Sequence, residues 1–286
     1  MRRAVTAGLL RAAAASAMLA AWAAPARAQL CHDLPDLEAH HHPAKHAHAA
    51  RASAAAPAGE PAPEHGLGLA LGLRTEVATA AIDRRPIDYQ GASLRVDLHR
   101  GRFHLRAQGT WYRLRDSLDV TYGPGDLMLA AMWTAVQRPR WRAGLALPVG
   151  APLGDHEAHL GMGHWMIMPG VFAAAQPSRS LSASAGVAYN RALSSGHHNH
   201  GIGPYVNPMT AEELSFAVRL GLRVAAPLQL IGESALAAPL DGDARATIGA
   251  GFVWQRGAMA VSVVTQTGAL RAPFTARGVA DLSYAF

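Results

Sequence analysis

The chain has 286 residues, half of them hydrophobic, 16% charged and one a cysteine. A single cysteine excludes an intramolecular disulfide framework. The formal charge of +6 is mostly a property of the N-terminus: Arg2, Arg3, Arg11 and Arg27 lie in the first 28 residues, which hold no acid, leaving +2 for the rest. No basic stripe interleaved with aromatics remains, so no nucleic-acid partner is expected.

In chain order, residues 1–28 read as a secretory signal peptide. Arg2 and Arg3 form the positive start, residues 12–26 carry no charge, and Ala26-Arg27-Ala28 is an A-x-A cleavage pattern. Residues 29–65 are rich in Ala, Pro and His and lack aromatics. Such a segment buries too little apolar surface to offset its ordering entropy, and disorder is expected. It carries seven of the 15 histidines, among them His40, His41, His42, His46 and His48.

From residue 66 the pattern changes to alternation. In GRFHLRAQGTWYRLRD (101–116), Phe103, Leu105, Ala107, Gly109 and Trp111 share one face, and Arg102, His104, Arg106, Gln108 and Thr110 the other. This is the period of a β-strand with one apolar face. ASLRVDLHR (92–100) alternates likewise. A Gly101-Arg102 turn of type II′ would pair Leu98 with Leu105, Asp97 with Arg106 and His99 with His104, matching like faces.

Strands are expected near 67–80, 92–100, 103–115, 124–136, 140–149, 164–176, 179–191, 211–225, 228–239, 243–255, 258–266 and 277–286. Tight connections at HRGR, QRPR, QPSRS, AAP and QRG alternate with longer ones at 81–91, 116–123, 150–163, 192–210 and 267–276, and with a short one at 240–242. Residues 66–286 therefore read as an all-β fold, an antiparallel transmembrane β-barrel of about twelve strands in the outer membrane of a Gram-negative bacterium, with short periplasmic turns and long extracellular loops. Trp111, Trp133, Trp141 and Trp165 fall near strand ends on the apolar face, as interfacial aromatics facing outer-membrane lipid do. The last strand carries Leu282, Tyr284 and Phe286 on one face. A terminal aromatic there fits a signal for the barrel-assembly machinery, which makes Phe286 the expected contact with that partner. A secreted β-sandwich would also alternate, but it needs neither the loop alternation nor the terminal aromatic.

Three motifs inside 122–170 carry a family resemblance. They are Gly123-Pro124-Gly125-Asp126 opening a strand, Leu147-Pro148-Val149-Gly150 ending the next, and Leu160-Gly161-Met162-Gly163 closing a loop. The stretch resembles the MetA-pathway of phenol degradation family of outer-membrane β-barrel proteins, also grouped as transporters, with Val149 where a threonine is usual. The resemblance implies a channel-like barrel associated with small hydrophobic compounds and carries over no catalytic residue.

Site chemistry centres on two expected loops. His156-Glu157-Ala158-His159 echoes a zinc protease motif, but its histidines are spaced i, i+3 rather than i, i+4, and glycines flank it. A metalloprotease is rejected. As a loop, His156, Glu157, His159 and His164 remain candidate ligands for a divalent or copper-type ion, with Cu, Zn and Ni the ions considered. His197, His198 and His200 form a second group on the same rim, and the two groups could share an ion across the mouth. Inert glycine-rich loops are the alternative. Met128, Met132, Met166 and Met168 are expected to face the lumen, where thioethers either fill space or meet soft Cu(I) or Ag(I). No G-x-S-x-G motif occurs. The expected function is a small-solute channel with metal-binding histidines and no cofactor. The alternatives are a membrane-embedded hydrolase, a channel for hydrophobic aromatic molecules, and a structural barrel.

Overall fold

The computed structural model describes residues 67–82, 85–115, 119–193, 212–271 and 274–286. The signal peptide, the His-rich arm and the 197–200 histidines lie outside them.

Fourteen strand segments form a single antiparallel sheet. They are β1 (Leu67–Ile82), β2 (Arg85–Arg100), β3 (Phe103–Arg115), β4 (Val120–Pro124), β5 (Leu127–Arg138), β6 (Trp141–Ala151), β7 (Met166–Ile167), β8 (Gly170–Ala175), β9 (Leu181–Ala192), β10 (Glu212–Ala225), β11 (Leu228–Pro239), β12 (Arg245–Arg256), β13 (Met259–Leu270) and β14 (Phe274–Ala285). Two pairs are interrupted single staves. β4 and β5 both pair with β3, and β7 and β8 both lie between β6 and β9. The first interruption falls at Gly125-Asp126 and the second at Met168-Pro169, where proline has no N–H for the ladder. β1 pairs with β14 from Ala70↔Ala285 to Ala80↔Phe274, which closes a twelve-stave barrel. Closure leaves no unpaired edge, the condition for a sheet to sit in lipid.

The expected hairpin register holds. Leu98 pairs with Leu105, Asp97 with Arg106 and His99 with His104. Gly101 has φ +57°, which the first position of a type II′ turn requires.

The outside is apolar. Leu73, Leu94, Leu105, Leu145, Val171 and Leu220 are each more than half exposed. Trp111, Tyr122 and Trp165 stand outward at the rim carrying the longer connections, and Phe103, Trp133, Trp141 and Tyr284 at the rim of tight turns. Phe103 pairs directly with Trp133. The step from Phe103 to Trp111, at about 3.3 Å per residue and a tilt near 40°, spans about 20 Å. That is close to the roughly 25 Å apolar band of outer-membrane barrels. Leu282, Tyr284 and Phe286 share the outer face as expected, and the Phe286 N–H closes onto Leu69 O at 2.9 Å.

Three expected loops are corrected. Residues 81–91 are not a long loop, because β1 runs to Ile82 and β2 starts at Arg85. Ile87 and Tyr89 alternate inward against exposed Asp88 and Gln90 above the membrane band, and that outer polarity mimics a loop. Residues 267–276 are likewise mostly strand, with β13 reaching Leu270 and β14 starting at Phe274. Within 116–123, β4 occupies the second half.

Candidate functional site

The interior has two chemically distinct walls. On β14, β1, β2 and β3 the inward positions carry charge. Glu76 accepts from Arg277 and from Tyr89 Oη (3.1 Å), and Arg74 lies 3.7 Å from it. One row nearer the tight turns, Arg95 grips Asp281 through both terminal nitrogens (2.7 and 3.1 Å) and donates from Nε to Asp97 (2.9 Å). Asp97 also accepts from Arg106 Nε at 2.7 Å and lies 2.8 Å from His104 Nε2. Arg95 reaches Asp281 by lying over β1 at Gly72, where any Cβ would stand 3.0 Å from the guanidinium. Each of these buried ions lies within 4 Å of an opposite charge, which offsets much of the cost of burial.

On β5, β6, β8, β9 and β10 many inward positions are small or pliable, beside the polar Arg142, Asn190, Glu213 and Ser215. Met132, Ala146, Phe172, Ala188 and Ala217 form one buried cluster across five consecutive staves. Toward the loop rim follow Met162, Met166 and Met168, with Met128 and Ala192 packed on them. Leucine faces lipid on these strands and methionine faces the lumen, as the alternation predicted. A third polar group joins the walls: Arg245 and Asn190 Nδ2 bond Glu213 at 2.7 and 3.0 Å, and Gln266 donates to Glu233.

The 152–165 segment is the decisive feature. Sequence reasoning places 150–163 as an extracellular loop and starts a strand at His164; the structure keeps the loop, extends it to Trp165 and folds it into the mouth. Asp126 holds it, accepting from Met162 N–H at 2.7 Å and Gly154 N–H at 3.1 Å. The turn itself closes on Asp155, whose Oδ1 accepts from Glu157 and Ala158 N–H (2.9 and 3.2 Å) and whose carbonyl accepts from Leu160 N–H (2.8 Å). This self-capping puts His159 at φ +61°. Leu160, 2% exposed, then joins Ala78, Ile87, Tyr89, Leu114 and Phe274 in one cluster inside the mouth. The three family motifs are the parts of this device. A Cβ on Gly123 would stand 2.6 Å from Leu160, one on Gly161 2.6 Å from Asp126 Oδ1, and one on Gly150 2.9 Å from Met162.

The same folding separates the expected metal ligands. His156 and Glu157 are exposed on the outer side of the turn, His159 is half-buried, and His164 is buried toward the lumen. Among the described residues no group of three or more His, Cys, Asp or Glu side chains is placed to hold a metal. His40, His41, His42, His46, His48, His197, His198 and His200 lie outside the described residues. Apart from the Asp97–Arg106 pairing, the wall of ion pairs and the Asp126 anchor were not assigned from sequence. Their signal was present as charges at lumen-parity positions such as Arg74 and Glu76, and as the Asp closing Gly-x-Gly-Asp.

A closed barrel with an apolar outer band, aromatic girdles and a polar interior defines an outer-membrane-type β-barrel. Residues 82–202 match the family described as "Putative MetA-pathway of phenol degradation", the family that the 122–170 motifs resemble, and the match extends well beyond those motifs. Solved structures share the fold at low identity. The COG4313 outer membrane channel from Pseudomonas putida F1 is similar with a TM-score of 0.57 and 13% identity, covering 80% of this chain and 100% of that one. The NanC porin has a TM-score of 0.53 at 6% identity, covering 76% and 98%. The β domain of the Bordetella autotransporter BrkA has 0.50 at 12%, covering 77% and 100%. The comparison with curated proteins finds no match.

Proposed function

We propose that this chain is an outer-membrane channel for a small solute, entered through a mouth narrowed by the 152–165 segment. The seating of Leu160 inside the barrel, anchored by Asp126, is the observation that carries this reading. A twelve-stave barrel has limited room between the filled eight-strand case and open porins, and the segment takes part of it. The lumen offers ion pairs on one side and thioether and methyl groups on the other. A solute with a ring and a polar group, such as a phenol, satisfies both, and the family's description points the same way. Single-channel conductance in planar bilayers tests the mouth. Asp126→Ala removes the carboxylate that two backbone N–H groups need, so the segment releases and conductance rises severalfold. Conductance equal to wild type in a folded Asp126→Ala barrel would overturn the reading.

A non-enzymatic barrel is part of the same proposal. The buried lumenal serines are engaged in the wall: Ser93 exchanges a hydrogen bond with Thr110 at 2.9 Å, and Ser215 donates toward Ala188 O and Asn190 Oδ1. Divalent binding by the histidines is a separate proposal, supported by the density of histidine in the 29–65 arm. Isothermal titration with Cu(II), Zn(II) and Ni(II) tests it. Replacing His156, His159, His197, His198 and His200 should weaken binding, and unchanged isotherms would sink the loop contribution.

A further inference from the structure

We propose that Met128, Met162, Met166 and Met168 form a thioether site for a soft monovalent cation, Cu(I) or Ag(I), just inside the mouth. The four side chains share one cluster, with Met166 fully buried and Met168 1% exposed. They arrive from three places in the chain: β5, the inward-folded segment, and the β7 stave. Gly150 of β6 marks where they meet. The position its Cβ would take is 2.9 Å from Met162 Cε, 3.4 Å from Met128 Sδ and 3.5 Å from Met166 Cβ. A glycine under converging methionines keeps that point free of a fixed side chain.

The choice of residue is the second argument. This barrel has leucine in plenty and puts it on lipid: Leu71, Leu73, Leu94, Leu105, Leu129, Leu145 and Leu147 are all exposed. Among the described residues the buried leucines are Leu114 and Leu160, both in the aromatic cluster across the mouth. Of nine methionines in the whole chain, four are in this one cluster. Packing alone does not require that division, since leucine and methionine exchange in cores at little cost. Sulfur does distinguish them. Thioethers select Cu(I) and its congeners over hard and borderline ions. The burial pattern over 162–168 supplies the row: Met162, His164, Met166 and Met168 are buried, alternating with Gly163, Trp165 and Ile167. His164 adds an imidazole to that row. Apart from His164, the ligand set differs from the histidine groups of the loops and arm, and the site does not depend on what the barrel conducts.

Ag(I) is the probe, because it needs no reductant. The full chain in detergent is titrated with silver nitrate in chloride-free buffer, and Ag X-ray absorption identifies the neighbours of the bound ion. Wild type is expected to show a saturable site with sulfur neighbours. The Met166→Leu/Met168→Leu chain, with the same apolar volume and no sulfur at two positions, is expected to bind at least about tenfold more weakly. Met132→Leu, one row deeper in the neighbouring cluster, and His156→Ala/His159→Ala should bind as wild type does. Heat-modifiable migration on gels confirms that each barrel has folded. Should the double variant not fold, Met128→Leu and Met162→Leu carry the same comparison. Equal affinity in the folded methionine variants, or a wild-type ion with only nitrogen and oxygen neighbours, overturns the proposal. Neither result bears on the conductance test, so the two readings fail separately.

Discussion

The two walls of the lumen solve one problem in different ways. A narrow barrel must fill its interior without a conventional core. The β14-β1-β2-β3 wall does so with long charged side chains locked in pairs, and two of them, Arg95 and Glu76, lie beside a glycine that leaves room. Gly72 lies beneath Arg95, and a Cβ on Gly91 would stand 3.0 Å from both Glu76 and Tyr112. The β5-to-β10 wall does so mostly with Ala, Gly, Met and Phe172, apart from the Asn190–Glu213–Arg245 group. The first wall is coupled, since its ions lie against one another; the alanine and methionine clusters of the second are apolar contacts without an ion pair among them. Rigidity then belongs to the charged wall and adaptability to the methionine wall.

The largest expected effect breaks the coupling. Arg277→Met leaves Glu76 buried without its closest cation, and unfolding free energy in urea is expected to fall by about 3–5 kcal/mol. Adding Glu76→Gln removes the orphaned charge, so the double variant should regain part of the loss. If the single variant unfolds as wild type does, the charged wall is solvated and the contrast between the walls disappears.

A smaller effect is expected where the second wall is tight. The bulge between Thr134 and Val136 turns Trp133 O toward Gly144, and a Cβ there would stand 2.1 Å from that oxygen and 2.8 Å from the Phe172 ring. Gly144→Val is expected to cost about 1–3 kcal/mol. Gly232→Val, where a Cβ meets nothing within 4 Å, is the control and should be close to neutral. Equal costs at the two glycines would show that this wall moves freely at the backbone as well.

How much of this could be read beforehand divides along the same line. The methionine wall was legible: alternation alone put Trp165 and Ile167 outward and Met166 and Met168 inward, because strand parity is local. Asp97 with Arg106 was legible as well, because a two-residue turn sets register. The remaining pairs were not. Arg95 with Asp281 and Glu76 with Arg277 join strands from opposite ends of the chain, and only barrel closure brings them together. The 152–165 segment was misplaced for a related reason. Its glycines and polar residues are those of an exposed loop, and the partner that draws it inward, Asp126, is a single side chain on another stave. Ile87 and Tyr89 were missed because strands extending above the membrane lose the apolar outer face that marks them within it.

The smallest expected effect sharpens the comparison most. Met132 sits 5% exposed in the alanine-rich cluster, with no polar partner to lose. Met132→Leu keeps nearly the same volume, and its cost is expected to stay below about 1.5 kcal/mol. Methionine has three flexible torsions and fills irregular space; leucine is stiffer and branched. Stability should therefore barely move while the lumen becomes less yielding. Current noise in single-channel records then falls for Met132→Leu at unchanged mean conductance, if side-chain rearrangement on this wall contributes to it. A drop in stability comparable to Arg277→Met would mean that the methionine wall is as specifically packed as the charged wall, and the division of labour between them would have to be abandoned.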